Sequence, residues 1–456
     1  MSLKKNDVIT LEVTDINSRG YGVAKYCGMA VFIDGAVTGD TVSARIIKTA
    51  SSYAVARIEK MERRSPERVE ARCSAKKCGG CVYRCISYGY ELEIKRNSAA
   101  ASFRRARLKD VNILPVIPSP RVTRYRNKAQ YPVSCAPDGR LIAGFYSPAS
   151  HSVCEVEDCA LQPEIFGRIT GAVLRFAGEH GVSAYDENTG EGLLRHIYLR
   201  HAEATGEIML TLVINGSSFP HSEELCRMIT KEYPSVKSIL LNENIKKTNV
   251  ILGDKYTLLY GVPYINDVLC GVRLRISAPS FYQVNRGAAE ILYGKAAELC
   301  ELTGGETVLD LYCGIGSIGL SMAEKAGRII GIEISAPAVE CARENARQNG
   351  FENAFFFAGD AKDARGLISQ AESHLGAIAP DVVILDPPRK GCDKDLLDYI
   401  SEMDPDKIIY ISCNTETLAR DCAVMKEKGY SLSDVVTVDL FPGTGHVEAV
   451  VRLKRR

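Results

Sequence analysis

The chain has no tryptophan, only seven histidines and almost no net charge across its 456 residues. It also lacks an apolar run long enough to cross a membrane, and no secretory apolar segment follows the opening residues. These absences predict a cytoplasmic protein without a membrane partner. In that reducing compartment the sixteen cysteines are poor candidates for disulfides, which leaves metal binding or catalysis to be considered.

The net charge of +1 hides an uneven distribution along the chain. Residues 1–130 hold 25 Lys and Arg against 12 Asp and Glu, whereas the remainder holds 32 against 44. A basic N-terminal third predicts a polyanionic partner, most simply nucleic acid. A solvated surface whose charge merely differs between domains would give the same count.

Short β-strand patterns separated by turn pairs fill the first sixty residues. The predicted strands are 8–13, 22–26, 29–33, 40–47 and 52–58. Five such strands predict a small closed barrel of the OB type, a common platform for nucleic acids. The pattern, with Gly20-Tyr21-Gly22, resembles a TRAM domain, which implies RNA binding. The charged stretch 59–72 that follows is predicted to be a linker.

A compact run of three cysteines comes next, Cys73-x4-Cys78-x2-Cys81. Zinc sites usually show two separated C-x2-C pairs, whereas a compressed triple with one distant thiolate matches iron–sulfur spacing. The thiols available as a fourth ligand are Cys154, Cys159 and, less well placed, Cys85. We therefore favour metal binding over a purely structural role for this run.

Residues 164–260 alternate helical and strand patterns and predict an α+β domain without an evident catalytic cluster. Three histidines of this part, His196, His201 and His221, are scattered singly along the sequence. We interpret each of them as structural.

From about residue 276 the pattern becomes a regular β–α alternation, which predicts a doubly wound parallel sheet. A strand, a glycine turn with Gly314 and Gly316, and a helix cover residues 307–319, and Glu333 ends the next strand. An acidic residue there can accept both ribose hydroxyls of a nucleoside cofactor. The glycines also fit an NAD fingerprint, but the Asp-Leu-Tyr-Cys-Gly prelude favours S-adenosylmethionine. Asp360, after the third strand, is a candidate for the adenine amino group.

Three residues near the later strands are candidates for chemistry. Two prolines fix the backbone after Asp386. Cys413 lies between a strand predicted at 408–411 and a helix predicted at 416–425, whose dipole is expected to lower the thiol pKa and so create a nucleophile. Glu448 enters the final strand. For any one of sixteen cysteines a packing role is the simpler interpretation, and a lone Glu448 suits a surface charge.

A thiol and a carboxylate beside a nucleoside cofactor and an RNA-binding barrel suit one demanding reaction, the methylation of uracil carbon 5. A thiolate that adds to carbon 6 moves negative charge to carbon 5, which then attacks a methyl sulfonium. A carboxylate must afterwards remove the proton from carbon 5 so that the thiolate can leave. Cys413 and Glu448 fit these two roles.

The whole chain resembles the bacterial RNA (uracil-5-)-methyltransferases of the TRAM-containing, iron–sulfur 23S rRNA branch. The motifs that carry the resemblance are Ser280-Phe-Tyr-Gln-Val-Asn285, Asp310-Leu-Tyr-Cys-Gly-Ile-Gly316, Asp386-Pro-Pro-Arg389, Ser412-Cys-Asn414 and His446-Val-Glu448. Ser317 departs from the asparagine that some relatives carry after the glycine turn.

The resemblance implies a role for each matching residue. Cys413 is the implied nucleophile and Glu448 the proton acceptor. The implied residues around S-adenosylmethionine and the uracil are Gln283, Tyr312, Glu333 and Asp386. The implied ligands of a 4Fe–4S cluster are Cys73, Cys78, Cys81 and Cys159, because the fourth family ligand precedes a motif like Ala160-Leu-Gln.

These expectations divide the chain into a TRAM-like OB barrel (1–62), a central α+β iron–sulfur domain (63–275) and a Rossmann-like class I methyltransferase domain (276–456). The helix at 88–109 is expected to pack on the catalytic domain. We expect a monomer that acts on a flipped uridine, with Phe281 and Tyr282 as candidates for stacking. The tRNA-specific branch generally lacks the barrel and the cluster, which favours 23S rRNA and leaves tRNA as the alternative.

Two rival functions explain parts of the sequence. An exocyclic-amine methyltransferase would use the Asp-Pro-Pro loop, but Arg389 stands where such enzymes carry an aromatic residue, and they need no cysteine. An RNA-binding iron–sulfur protein without methyl transfer would need neither Cys413 nor Glu448.

Overall fold

A computed structural model describes residues 3–75, 77–148 and 150–456. Its first six strands form one sheet in the order β1-β5-β6-β4-β3-β2. The strands are β1 (Val8–Glu12), β2 (Asp15–Ile16), β3 (Gly22–Tyr26), β4 (Met29–Asp34), β5 (Thr41–Thr49) and β6 (Tyr53–Arg63). Alternate residues of β5, such as Val42 and Ile46, point into a buried core. Contacts between β1 and β3 curl the sheet around that core.

The prediction of a linker at 59–72 is wrong for its first residues. Strand β6 continues to Arg63, which pairs with Thr41 of β5. The charged side chains that suggested a linker, such as Glu59 and Lys60, are exposed on this strand. A solvated strand face and a linker have the same composition, so the sequence alone did not separate them.

The central part of the chain has a seven-stranded sheet with helices packed on it. Its elements, after α1 (Tyr88–Arg105), are β7 (Lys128–Cys135), β8 (Leu141–Tyr146), β9 (Val153–Glu155), α2 (Glu164–Glu179), β10 (Leu194–His201), β11 (Ile208–Ile214), α3 (Ser222–Glu232), β12 (Val236–Glu243) and β13 (Lys255–Gly261). The strand order is β13-β12-β11-β10-β7-β8-β9, and only β11 and β12 are parallel. Helices α2 and α3 bury apolar faces, including Phe166 and Leu225, in the same core as this sheet.

A hairpin connects the central sheet to the C-terminal part. It consists of β14 (Tyr264–Leu269) and β15 (Val272–Ser277). Its buried residues, among them Ile265 and Leu274, belong to the core of the C-terminal sheet. The domain boundary predicted at residue 275 lies inside β15 and stays a prediction.

The C-terminal part is a doubly wound sheet, as the β–α alternation predicted. Its elements are α4 (Arg286–Cys300), β16 (Thr307–Leu311), α5 (Ser317–Ser321), β17 (Arg328–Glu333), α6 (Ala336–Gln348), β18 (Ala354–Ala358), α7 (Ala364–Leu375), β19 (Val382–Leu385), α8 (Lys394–Met403), β20 (Lys407–Ser412), α9 (Thr415–Glu427), β21 (Tyr430–Leu432), β22 (Val436–Val438) and β23 (Glu448–Arg455), with short 3-10 helices at Ala323–Lys325 and Ala361–Asp363. The strand order is β18-β17-β16-β19-β20-β23-β21, with β22 also on β23. Strands β16 to β20 are parallel, whereas β23 is antiparallel to its neighbours. This topology brings the carboxyl ends of the parallel strands to one edge.

Helix α1 packs on the C-terminal sheet through α9. Ala99 and Phe103 are buried in the core of that sheet, and the Ser102 hydroxyl lies 3.1 Å from the Thr415 hydroxyl. Across the three described ranges, the helices are all too short or too polar to span a membrane.

Candidate active site and cysteine cavity

Strand pairing brings Cys413 and Glu448 together. Ser412 at the end of β20 pairs with Ala449 near the start of β23. Because these strands are antiparallel, the adjoining residues Cys413 and Glu448 meet at the same edge of the sheet. Glu448 is buried and Cys413 is half-buried. The arrangement joins a thiol and a carboxyl group that lie 35 residues apart in the sequence.

Burial sets the proton affinity of both groups. Burial, aided by the nearby Asp386, raises the pKa of Glu448 to about 8. Burial also raises the pKa of Cys413, and the charge of Glu448 adds to that effect. The net shift is therefore opposite to the lowering expected from the helix dipole, because burial disfavours the charged thiolate.

Arg389 counters these shifts and was missed as a site residue. Its guanidinium lowers the pKa of Cys413 by charge and by a hydrogen bond, and it also lowers the pKa of Glu448. Arg389 Nη2 lies 3.2 Å from His446 Nε2, and the Arg389 carbonyl accepts a hydrogen bond from Asn414 Nδ2 at 2.8 Å. The signal was present in the Asp-Pro-Pro-Arg motif, which carried the family resemblance and excluded a rival function without giving Arg389 a role in the site.

A cavity of about 480 Å³ opens at Cys413. Its lining combines the C-terminal sheet with three other parts of the chain. The residues from those parts are Ser18 and Arg19 of the barrel, Val82 of the cysteine run, and Ser98 and Ser102 of α1. The barrel and α1 therefore form part of the wall of the reactive site.

The glycine turn after β16 forms a cradle around Glu333. Tyr312, Gly314 and Gly316 all have left-handed backbone conformations, with φ of 69°, 57° and 80°. The Gly314 N–H donates to Glu333 Oε2 at 3.2 Å, and the Ser335 N–H donates to Oε1 at 2.8 Å. These bonds fix the Glu333 carboxylate at the end of β17, where lone pairs remain for ribose hydroxyls.

Acidic groups gather at the carboxyl ends of β16, β17 and β19. Burial raises the pKa of Asp310 to about 8, with further contributions from the charges of Asp386 and Glu333. Burial alone raises the pKa of Asp386 to about 7. Asp310 Oδ2 accepts a bond from the Gly319 N–H at 3.0 Å, whereas its buried Oδ1 has no partner within the described ranges. Uncompensated carboxylates of this kind suit a cationic ligand such as a sulfonium that carries an amino group.

The other two residues expected around the cofactor are Gln283 and Asp360. Gln283 is buried, its carbonyl accepts a bond from Asn127 Nδ2 at 2.9 Å, and its side chain hydrogen-bonds Tyr293. Asp360 lies just after β18, and its Oδ1 accepts a bond from the Lys362 N–H at 3.0 Å. Gly359 beside it donates to the Glu333 carbonyl at 2.9 Å, so Asp360 and Glu333 are neighbours.

The two aromatic residues proposed to stack on a base differ in exposure. Tyr282 is buried, and its hydroxyl donates to Asp267 Oδ2 at 2.9 Å. It therefore has no free ring face for a base, and that expectation was wrong. Phe281 is 63% exposed and keeps such a face.

Four cysteines line a separate cavity of about 310 Å³. They are Cys73, Cys78, Cys81 and Cys159, whereas Cys85 and Cys154 are absent from the lining. Burial and the neighbouring thiols raise the pKa of Cys81 to about 12. Backbone N–H groups of Ala75 and Gly80 each donate to a cysteine sulfur at 3.4 Å. The cavity thus gathers the sulfurs that the resemblance implies as ligands.

The spacing of these sulfurs is wider than a single zinc ion requires. A tetrahedral zinc site with Zn–S bonds of about 2.3 Å holds its sulfurs about 3.8 Å apart. Within residues 3–75, 77–148 and 150–456, no three cysteine sulfurs lie within 4.8 Å of one another. The thiols as placed therefore fit a larger group better than one metal ion.

A buried lysine of α1 holds the loop that precedes Glu448, and Tyr83, just after the cysteine run, bonds to the same loop. Lys95 of α1 is fully buried, and its Nζ lies 2.6 Å from Glu91 Oε1 and 2.7 Å from Asp439 Oδ1. Glu91 also accepts a bond from the Gly443 N–H at 2.7 Å. The Gly443 carbonyl accepts one from the Tyr83 N–H at 3.0 Å. We call residues 441–447 the base loop; a side chain at Gly443 would lie 3.7 Å from the Cys81 sulfur.

Comparisons with known proteins agree with this architecture. Residues 247–456 match the model of the tRNA (uracil-5-)-methyltransferase family, and residues 3–58 match the TRAM domain, which confirms that resemblance. The chain is also similar to a crystal structure of Pyrococcus abyssi tRNA (uracil-54, C5)-methyltransferase in complex with S-adenosyl-L-homocysteine. The match has a TM-score of 0.77 and 26% identity, and it covers 98% of this chain and 100% of the Pyrococcus chain.

Curated relatives extend the match along the chain. An uncharacterized RNA methyltransferase of Halalkalibacterium halodurans is 42% identical over 99% of this chain and 98% of its own length. A second, from Listeria monocytogenes, is 41% identical over the same shares. Identity of this extent, together with the two matched models, shows the family. The chain is an RNA methyltransferase and belongs to the RNA (uracil-5-)-methyltransferase family, as a member that carries a TRAM domain.

Proposed function

We propose that this enzyme methylates carbon 5 of a uridine in 23S rRNA, with Cys413 as the nucleophile and Glu448 as the general base. The observation that carries the proposal is the meeting of these two side chains at the edge of the sheet that holds the acidic cofactor cradle. A packing cysteine would need neither a buried carboxyl group nor a neighbouring arginine.

Each protein group has one task in the proposed reaction. Arg389 stabilises the Cys413 thiolate, whose sulfur bonds to carbon 6 of the uracil and pushes an electron pair toward carbon 5. S-adenosylmethionine supplies the electrophilic methyl group that carbon 5 takes. Glu448 then removes the proton from carbon 5, and the returning electron pair expels the Cys413 thiolate. A pKa near 8 suits Glu448, since a base is most effective near the working pH.

The cofactor residues follow from the cradle. We assign Glu333 to the ribose hydroxyls and Asp360 to the adenine amino group. Tyr312, Gly314 and Gly316 shape the turn that the cofactor approaches. We assign Gln283 and Asp386 to the surroundings of the cofactor and the uracil. The charge of the half-buried Asp386 raises the pKa of both Cys413 and Glu448, which supports this assignment.

We propose Cys73, Cys78, Cys81 and Cys159 as ligands of a 4Fe–4S cluster. Their shared cavity and wide spacing support this choice over a single zinc ion. The reaction is redox-neutral, so the cluster has a structural role. Protein purified without oxygen is expected to be brown, with visible absorbance and about four iron per chain. Colourless protein with one zinc per chain would refute this assignment.

Transfer RNA remains the second candidate substrate. The sequence argument for rRNA relied on the absence of a barrel from tRNA enzymes. The similar Pyrococcus abyssi structure is named as a tRNA methyltransferase, and the match covers 98% of this chain. The barrel alone therefore does not separate the two substrates, and the preference for 23S rRNA stands on the cysteine run and on the resemblance of the whole chain to the 23S rRNA branch.

Release of tritium from RNA labelled with [5-³H]uridine tests the reaction. Methylation at carbon 5 must release one tritium for each methyl group transferred, and mapping of 5-methyluridine in 23S rRNA and tRNA then identifies the substrate. Methyl transfer without tritium release would refute the carbon 5 assignment. Calorimetric titration with S-adenosylhomocysteine addresses the remaining rival, because an RNA-binding protein without methyl transfer would not bind it.

A further inference from the structure

Two histidines that are far apart in the sequence meet at the ends of α2 and α3. The His180 and His221 rings lie 4.5 Å apart between centroids. Glu224 Oε2 lies 3.7 Å from His180 Nε2 and 3.8 Å from His221 Nδ1. No local sequence pattern predicts this contact, because the two residues are 41 positions apart.

We propose that His180, His221 and Glu224 bind one divalent transition-metal ion of the zinc class. One ligand atom from each residue lies within 4.8 Å of the other two. With metal–ligand bonds of about 2.1 Å, a tetrahedral zinc ion needs its N and O ligands about 3.4 Å apart. The two measured N···O distances exceed that value by less than half an ångström, a shift that side-chain rotation supplies.

The surroundings of His180 prepare it as a ligand. Its Nδ1 lies 2.9 Å from the Phe176 carbonyl oxygen, which can only accept, so Nδ1 carries the proton and the lone pair is on Nε2. Metal-bound histidines commonly show this arrangement, in which a carbonyl fixes the tautomer and the ring direction. The His180 ring also stacks on the buried Phe176 ring at 4.0 Å. The nitrogen that faces Glu224 is therefore held ready to coordinate.

The backbone at His221 favours the same site. His221 precedes α3 with a left-handed φ of 53°, and its side chain makes no capping hydrogen bond to the helix. A non-glycine residue in this conformation is uncommon, and a helix N-terminus usually receives a capping side chain. At this position the ring instead faces His180 and Glu224.

An ion at this site joins the C-terminal end of α2 to the N-terminal end of α3. None of its three ligands lines the Cys413 cavity or the cysteine cavity. Two imidazoles and one carboxylate leave a fourth position for water, and this donor set suits zinc better than calcium or magnesium. We assign the ion a stabilising role that is separate from methyl transfer.

Zinc titration of the full-length protein, with its cluster retained, tests the proposal. The probe is Zn²⁺ alone in competition with a chromophoric chelator. We expect one zinc to bind per chain, and His221→Ala and Glu224→Gln to weaken its binding at least tenfold. His151→Ala is the matched control, because His151 pairs with a single carboxylate, Glu187, at 2.8 Å. It should bind zinc as the wild-type protein does.

Thermal unfolding provides the second readout. Zinc should raise the Tm of the wild-type protein and of His151→Ala, but not that of His221→Ala. Equal zinc affinity in His221→Ala, Glu224→Gln and the wild-type protein would overturn the proposal. So would a wild-type protein that binds no zinc. Because His180 packs on Phe176, the more exposed His221 and Glu224 are the safer positions to change.

Discussion

Cys413 and Glu448 face opposing electrostatic demands at one edge of the sheet. The half-buried thiol and the buried carboxyl group each hold their protons, whereas the proposed reaction needs both groups ionised in turn. Arg389 is the cation that reconciles these demands, since it lowers the pKa of both groups. It does so without removing Glu448 from the range where a base is effective.

Loss of the Arg389 charge should shift activity to higher pH. In Arg389→Met the pKa of both Cys413 and Glu448 rises, so at neutral pH a smaller fraction of the enzyme molecules has these two side chains ionised. We expect kcat/KM at pH 7.5 to fall about tenfold or more, because each unit of pKa corresponds to a factor of ten. The measurement is the pH profile of methyl transfer between pH 6.5 and 9.5.

Arg389→Lys is the control for this profile, because it keeps a cation. The limb of its profile that rises with pH should lie between those of the wild-type enzyme and Arg389→Met. A profile of Arg389→Met that has the wild-type midpoint and only a lower plateau would show that Arg389 acts in some other way.

Glu448 should cost the protein stability at alkaline pH. Its folded pKa, about 8, is above the value near 4.3 of an unfolded glutamate. The stability linked to its protonated form is therefore complete below about pH 4.3 and is lost as pH rises through about 8. We expect Glu448→Gln to be more stable than the wild-type protein by on the order of 2–4 kcal/mol at pH 9. Thermal unfolding of both proteins between pH 5 and 9 measures the difference.

Glu416→Gln is the matched control, since the Glu416 side chain is 70% exposed. It should show no comparable gain between pH 5 and 9. A Glu448→Gln protein that is inactive but gains no stability at alkaline pH would contradict the raised pKa of Glu448.

At the scale of elements, helix α1 lies between the C-terminal sheet and the base loop and touches both. It packs on α9 through Ser102 and holds the base loop through Glu91 and Lys95. The cysteine run adds the bond from Tyr83 to Gly443. The backbone conformation next to the cysteine cavity is thereby linked to the position of the base loop, which directly precedes Glu448.

Lys95 is the residue on which this connection depends most. In Lys95→Met the buried carboxyl groups of Glu91 and Asp439 lose their shared cation. Removal of one partner from a buried ion pair costs about 3–5 kcal/mol of unfolding free energy. We also expect faster hydrogen exchange in residues 441–447 and a lower kcat. Unfolding and exchange measurements on the full-length protein test this expectation.

Arg105→Met is the control on the same helix. Arg105 pairs with Glu416 at 2.6 Å, but both side chains are more than 60% exposed, and such pairs contribute about 1 kcal/mol or less. If Lys95→Met destabilises the protein no more than Arg105→Met, the base loop does not depend on the buried network.

At the scale of the whole molecule, local sequence patterns predicted most of the architecture. Alternation and turn pairs located the barrel strands, and β–α alternation located the C-terminal sheet, because both depend on residues close together in the chain. The meeting of Lys95 with Asp439 spans 344 residues, and no local pattern encodes it. Tyr282 failed as a stacking residue because its partner Asp267 belongs to a hairpin that packs beneath it. The pKa of Cys413 also escaped prediction, since burial is a property of the folded molecule.

The barrel should contribute RNA affinity from the rim of the Cys413 cavity, where Arg19 lies. If Arg19 contacts a phosphate, Arg19→Ala should raise KM for RNA several-fold with little change in kcat. It should also reduce the slope of log affinity against log salt by about 1. Lys25→Ala, an exposed barrel position outside the cavity lining, is the control. An unchanged salt slope in Arg19→Ala would place the phosphate contacts elsewhere.

The central claim is a covalent bond between Cys413 and carbon 6 of a uridine. In RNA that carries 5-fluorouridine, Glu448 cannot remove fluorine from carbon 5, so the methylated adduct should accumulate. Mass spectrometry of the complex formed with S-adenosylmethionine should then find the RNA attached to the peptide that contains Cys413. Cys413→Ala should form no complex, whereas the exposed Cys135→Ala should form it normally. Attachment at another cysteine, or normal methylation of uridine RNA by Cys413→Ala, would contradict the mechanism.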